Sequence, residues 1–254
     1  MFCPTDRHAL AVAPRQQAEK VGRLSSRLRE TVLLDNSLET PRVATIPLQY
    51  DSRGERYLVW IDRVGGYLLC LADEIVIGQA NGSLADADGP DLGLQADLSR
   101  RHATLTRREG QYVLSPRGAA TVDGRPVQDA TVLNHGAEIG LGDAVRLRFE
   151  RPHALSASAR LTVASGHRTV PSADGVLLMA ESCVLGPQPH SHVRCPQWHQ
   201  DLLLYKGTGG LLCRSSRPVS VSGPGPAVLT EGPVAIPPGA RIEAESLCFS
   251  IERA

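Results

Sequence analysis

Four side chains in the run Leu98-Ser99-Arg100-Arg101-His102-Ala103 have the chemistry to hold an anion. Two guanidinium groups supply charge and forked donors, and a serine hydroxyl adds a short hydrogen bond. The imidazole can brace the loop that carries them. Further along, Val122-Asp123-Gly124 marks a tight turn between two short strands. The ligand such a cluster suits is a phosphate, whose ionised oxygens accept from several donors at once.

The segments around this cluster read as strands. Arg56–Ile61 is rich in β-branched and aromatic residues, Gly65-Gly66 turns it, and Tyr67–Leu71 continues. Glu74–Gly78 is the next strand, and residues 79–97 form a long loop. There Asp86, Asp88 and Asp91 read as a solvated acidic stretch, without the glutamate a calcium loop needs. His102–Thr106 and Gln111–Leu114 form a hairpin about Glu109-Gly110, and the alternating Val145–Phe149 closes the unit. Residues 1–41 differ. Val21, Leu24, Leu28 and Val32 recur at helical spacing, which predicts a helix over 14–34. That helix either packs on the body or binds a partner.

Blocks of the first half return in the second. Leu68–Gly78 is echoed by Leu177–Gly186, Val122-Asp123-Gly124 by Val221-Ser222-Gly223, and Gly136–Ile139 by Gly239–Ile242. The reading is an all-β chain with a short N-terminal helical segment (1–41) and two tandem β-sandwiches. These span 42–152 and 158–254, with a linker at 153–157. In the second repeat Pro196-Gln197-Trp198-His199 stands where Ser99–His102 stands in the first, so His199 is expected to keep the bracing role.

The first repeat resembles a forkhead-associated (FHA) domain over residues 56–150. The ordered features are Ile77-Gly78, Asp91–Leu94, Leu98–Ala103, Tyr112–Leu114, Val122–Gly124 and Leu133 through Gly136–Ile139 to Gly142-Asp143. The resemblance implies an eleven-stranded sandwich whose loops at one end bind phosphothreonine peptides. It implies that Ser99 donates to the phosphate, that Arg100 or Arg101 flanks the phosphopeptide, and that His102, Gly78 and Gly124 brace the loops. Two departures stand out. Gln79 follows Gly78 where the family usually has arginine. Arg117-Gly118-Ala119-Ala120 replaces the family's Thr-Asn-Gly, so the asparagine that grips the peptide main chain is gone. Each loss costs on the order of 1–3 kcal/mol of binding. Arg100, Arg101 and Arg117 are placed to compensate.

Composition narrows the function classes. The formal net charge is zero and aromatics make up 4%, which argues against a general nucleic-acid or membrane surface and against base-stacking platforms. Met1–Arg7 lacks the pattern of a signal peptide, and no run of apolar residues is long enough to cross a membrane. Scattered cysteines within apolar runs fit a reducing cytoplasm. Cys183, His190, His192, Cys195 and His199 raise the question of zinc, but their spacing matches no common structural site, so they read as a histidine-rich loop. No nucleophile elbow, phosphate-binding loop or zinc-protease motif occurs. The expectation is a non-enzymatic, cofactor-free and metal-free binding module for signalling. Its partner would be a protein phosphorylated on threonine by a serine/threonine kinase, held by Ser99, Arg100, Arg101, Gln79 and Arg117. The alternative is a phosphate-independent scaffold with a decayed site. The sequence leaves the oligomeric state open.

Overall fold

The computed structural model describes residues 55–80, 89–223 and 225–254. The expected helix over 14–34, with Asp86 and Asp88, lies outside them. The regular structure among the described residues is all β. The first half contributes β1 (Arg56–Ile61), β2 (Gly65–Cys70), β3 (Glu74–Gln79), β4 (Leu92–Leu94), β5 (Ala103–Arg108), β6 (Gln111–Pro116), β7 (Ala120–Val122), β8 (Arg125–Val127), β9 (Thr131–Leu133), β10 (Glu138–Leu141) and β11 (Val145–Glu150). The second contributes β12 (Ala159–Val163), β13 (Thr169–Val170), β14 (Gly175–Leu178), β15 (Ser182–Gly186), β16 (Val193–Arg194), β17 (Leu202–Gly207), β18 (Gly210–Ser215), β19 (Val219–Ser222), β20 (Val228–Thr230), β21 (Val234–Ala235), β22 (Arg241–Glu243) and β23 (Cys248–Arg253). The tight turns fall where the sequence puts them. Glu109-Gly110 and Asp123-Gly124 both adopt positive φ, at 51° and 74° in each pair, which gives the twist a two-residue hairpin needs.

A twelve-stranded sheet runs β20-β19-β22-β23-β1-β2-β14-β12-β11-β10-β7-β8. Two smaller sheets, β13-β4-β3-β5-β6-β9 and β16-β15-β17-β18-β21, complete the fold. Strands from the expected domains 42–152 and 158–254 are interleaved in the long sheet. β1, from the first half, pairs with β23 at the end of the chain, while β12, from the second half, pairs with β11. The short 151–158 connection explains the second pairing, because it lets β12 fold straight back onto β11 as sequential strands usually do. That leaves β23 open to β1. Pro47–Ala254 is accordingly one compact unit.

Two cores follow. Tyr57, Val59 and Ile61 of β1 pack with Trp198, Phe249 and Ile251 of the second half. Ala159 and Leu161 of β12 pack with Ile77, Leu114 and Phe149 of the first. The junction is the parallel pair β2–β14, with Leu68 opposite Val176 and Leu69 opposite Leu177. Leu68, Cys70, Val176 and Leu178 face the first core, and Leu69, Leu71, Leu177 and Met179 face the second. Alternate residues of a strand face opposite sides, so the two smaller sheets lie on opposite faces of the long one.

Candidate functional site

The end of β3 sets the site. Gly78 is buried, and a Cβ there would overlap the Arg100 carbonyl and come within 2.6 Å of the Ser99 carbonyl. Only glycine lets the 95–102 loop lie this close to the strand. The Gln79 amide then donates to the Ser99 carbonyl at 3.1 Å, and the His102 amide donates to Ile77 at 2.9 Å.

His102 is the hub, buried to 5% exposure. Its Nδ1 accepts from the Ser99 amide at 3.3 Å, and its Nε2 lies 2.9 Å from the Ala119 carbonyl. The acceptor role of Nδ1 places the proton on Nε2, which donates to Ala119. The His102 carbonyl accepts from the amides of Arg117 and Gly118 at 2.8 and 3.0 Å. Gly118 lies so close that a Cβ would meet the imidazole. Ala119 also accepts from Gly142 at 2.8 Å, which draws in the turn between β10 and β11. One imidazole therefore ties the 95–102 loop to the 117–119 loop.

Ser99, Arg100, Arg101, Gln79 and Arg117 are all exposed on this clamped frame. Ser99, Arg100 and Arg101 share the loop, Gln79 is bonded to its base, and Arg117 is bonded to His102. The backbone thus carries these five exposed residues on the end of β3 and on two loops joined at one end of the first sandwich. Gly124 is elsewhere. It sits at the β7–β8 turn, at the far end of β7 from Ala119, and a Cβ there would touch nothing within 4 Å. It shapes a hairpin and does not brace the loops, a correction to the sequence reading. Asp91 is also no free carboxylate: its Oδ2 accepts from the Val76 amide at 2.8 Å, and its carbonyl accepts from Arg56 at 2.6 Å.

Strand register corrects the reading of the second repeat. Ile77 pairs with Ala103, and the matching pair there is Leu185 with Leu202. Asp201, not His199, therefore stands in the place of His102, and Trp198 in that of Ser99. The expected equivalence is two residues out because the 187–201 connection is shorter than 79–102. Asp201 is exposed and crowds Gly186, while Trp198 turns into the second core. His199 bonds through its amide to Ser246 at 3.0 Å. The same register aligns His192 with Asp91. The His192 Nδ1 accepts from the Val184 amide at 3.0 Å, and its carbonyl accepts from Arg160 at 3.2 Å. An imidazole thus fills the strand-bracing role that a carboxylate fills in the first repeat, a substitution with no motif in the sequence to reveal it.

The cysteines and histidines weighed for zinc go to separate places. Cys183 and Cys195 are in the second core, His199 is on the Ser246 loop, and His190 and His192 pack near His153. Burial pushes the Cys183 and Cys195 thiols up to about 12, the opposite of what a thiolate ligand needs.

Residues 75–142 match the family model of the FHA domain. No curated protein matches the chain. Among solved structures, the chain is similar to Rv0020c_FHA at 24% identity, covering 37% of this chain and 90% of that one, with a TM-score of 0.22. It is also similar to the N-terminal FHA domain from EssC, a component of the bacterial Type VII secretion apparatus, at 11% identity. That likeness covers 78% of this chain and 92% of that one, with a TM-score of 0.20. Residues 75–142, which include both clamped loops, match the FHA domain, a class of protein-interaction module that generally binds phosphothreonine peptides.

Proposed function

We propose that the first sandwich binds a phosphothreonine-containing segment of a partner protein, the product of a serine/threonine kinase, and that the chain acts in signalling without catalysing a reaction. The observation that carries this reading is the set of exposed donors on the His102 clamp. Ser99 would donate to one phosphate oxygen and Gln79 to another. Arg100, Arg101 and Arg117 would answer a phosphate charge of about −1.5 to −2. Preformed loops lower the ordering cost of binding. Among the described residues no helix is long and apolar enough to cross a membrane, and Cys70, Cys183, Cys195, Cys213 and Cys248 are free thiols. We place the protein in the cytoplasm on the strength of those thiols.

A second reading draws on Gln79 and the Arg117–Ala120 stretch. An uncharged amide stands where a guanidinium is usual, and Arg117-Gly118-Ala119-Ala120 has no asparagine to grip a peptide main chain. In that reading the chain is a phosphate-independent scaffold. The discriminating experiment is binding to a degenerate phosphothreonine peptide library beside its unphosphorylated twin at moderate salt. Enrichment that disappears without phosphate, and in Ser99→Ala and Arg100→Ala/Arg101→Ala proteins, supports the phosphopeptide reader. Equal binding of both libraries, or of neither, supports the scaffold.

A further inference from the structure

A cavity of about 440 Å³ lies where the 153–158 connection crosses the outer side of the β15–β17 sheet. Its walls include Ala157, Ala180, Val184 and Leu203, His153 and His192 line it as well, and the solvent-exposed Glu181 belongs to the lining too. The connection is held there by Ser158, whose Oγ donates to the Ser182 carbonyl at 2.6 Å and accepts from the Ala180 amide at 2.8 Å. Leu155, 94% exposed, stands at the mouth.

His192 is 1% exposed, and its Nε2 has no hydrogen-bond partner among the described residues. The Val184 amide occupies Nδ1, so the proton is on Nε2. That fixed tautomer leaves no lone pair for a metal ion and offers one N–H donor. Such a buried donor calls for an acceptor. The Nδ1 of His153 is buried and unpartnered too. The two rings are close to parallel, at 12°, with centroids 6.2 Å apart. Two unpaired nitrogens beside an aliphatic wall suit the two oxygens of one carboxylate, with an alkyl group against Ala180, Val184 and Leu203. The volume falls within the range of small-ligand sites.

We propose that this cavity binds a small amphipathic carboxylate, its head on His192 Nε2 and His153 Nδ1 and its short alkyl tail against the β15–β17 face. The site is independent of the phosphopeptide loops, which lie on the first sandwich.

The test is calorimetric titration of the full chain with hexanoate, beside hexanol, and with His192→Asn and His192→Gln proteins. Asparagine reproduces the acceptor at Nδ1 and so keeps the Val184 bond, but removes the donor at Nε2. Glutamine restores a donor near the Nε2 position. The expected result is saturable hexanoate binding with a dissociation constant on the order of 1 mM, and none for hexanol. His192→Asn should weaken it roughly tenfold or more, and His192→Gln by less. Absence of hexanoate binding, equal binding of hexanol, or unchanged affinity in a folded His192→Asn protein would each overturn the proposal. Should His192→Asn fail to fold, the hexanoate and hexanol comparison on the unaltered chain decides alone.

Discussion

Replacing His102 by alanine should damage the candidate site without removing a single charge from it. The substitution deletes two hydrogen bonds, the Ser99 amide to Nδ1 and Nε2–H to the Ala119 carbonyl. Ala119 keeps its bond from Gly142, so its carbonyl is not orphaned. The Ser99 amide loses its partner, but Ser99 is exposed and water can replace it. Two neutral bonds at about 0.5–1.5 kcal/mol each, plus the space left by a buried ring, give a loss of about 2–4 kcal/mol. The backbone bonds from Arg117 and Gly118 to residue 102 remain, so the sandwich should still fold. Affinity should fall further than for a simple loss of stability, because the ligand must then order two loops that His102 holds ready. If the competent arrangement drops to a tenth of the population, apparent affinity drops about tenfold. Urea denaturation and fluorescence anisotropy with a selected phosphothreonine peptide measure the two effects. Arg100→Ala, beside it, should cost affinity with little change in midpoint. A His102→Ala protein with unchanged midpoint and unchanged peptide affinity would refute the clamp.

The interleaved sheet predicts that a residue in the first half stabilises the second core. Val59→Ala should cost about 2 kcal/mol and should be read by Trp198 fluorescence in a Trp60→Phe background, since Val59 and Trp198 share that core; an unchanged Trp198 transition would count against the exchange. Acid should destabilise the fold through His192. Burial, then the neighbouring His153 and Arg160, hold it down at about 4, opposed only in part by the nearby Ser158 backbone, so the unfolded chain takes up a proton first, near pH 6.5. Stability should therefore fall by up to roughly 3 kcal/mol as pH drops from 6.5 to 4, and His192→Asn should flatten that part of the curve in chemical denaturation. The buried thiols of Cys70, Cys183, Cys195 and Cys213, pushed up to about 12, should resist iodoacetamide at pH 8 until urea is added, as peptide mass spectrometry would show; rapid native labelling of Cys70 or Cys183 would contradict the packing.

What the sequence revealed was local. Glycines and turn residues mark places where backbone crowding permits little else, so Gly78, Glu109-Gly110 and Asp123-Gly124 were readable. Three of the proposed donors, Ser99, Arg100 and Arg101, stood in one run with His102, whose bonds tie that loop to the 117–119 loop. The partners of strands were not readable. Leu68–Leu71 and Gly175–Leu178 are apolar at successive positions, which says that both faces are covered but not by which core. The pairing of β1 with β23 depends on a connection length that leaves β12 nearest to β11, and no side-chain pattern encodes it. Motif alignment also placed His199 opposite His102, because histidine is a stronger mark in a string than Asp201, whereas backbone register counts from the strand pair.

The exchange of strands binds the two halves at the positions where each repeat braces its own sheet. Arg56, from β1 in the second core, reaches the carbonyl of Asp91, which braces β3. Arg160, from β12 in the first core, reaches the carbonyl of His192, which braces β15. Each brace is thus held by a strand whose apolar face belongs to the other sandwich. Arg160 is itself fixed by Glu150, with contacts of 2.5 and 3.1 Å. Separate halves of the chain would each lose an arginine contact, a strand pair and one face of β2 or β14. The candidate site therefore depends on residues far beyond the 75–142 match, because its sandwich is closed by β12 and β14 and its β4 edge by β13. A fragment cut to the family boundaries would keep Ser99, Arg100, Arg101 and His102 and still lack the sheet that positions them.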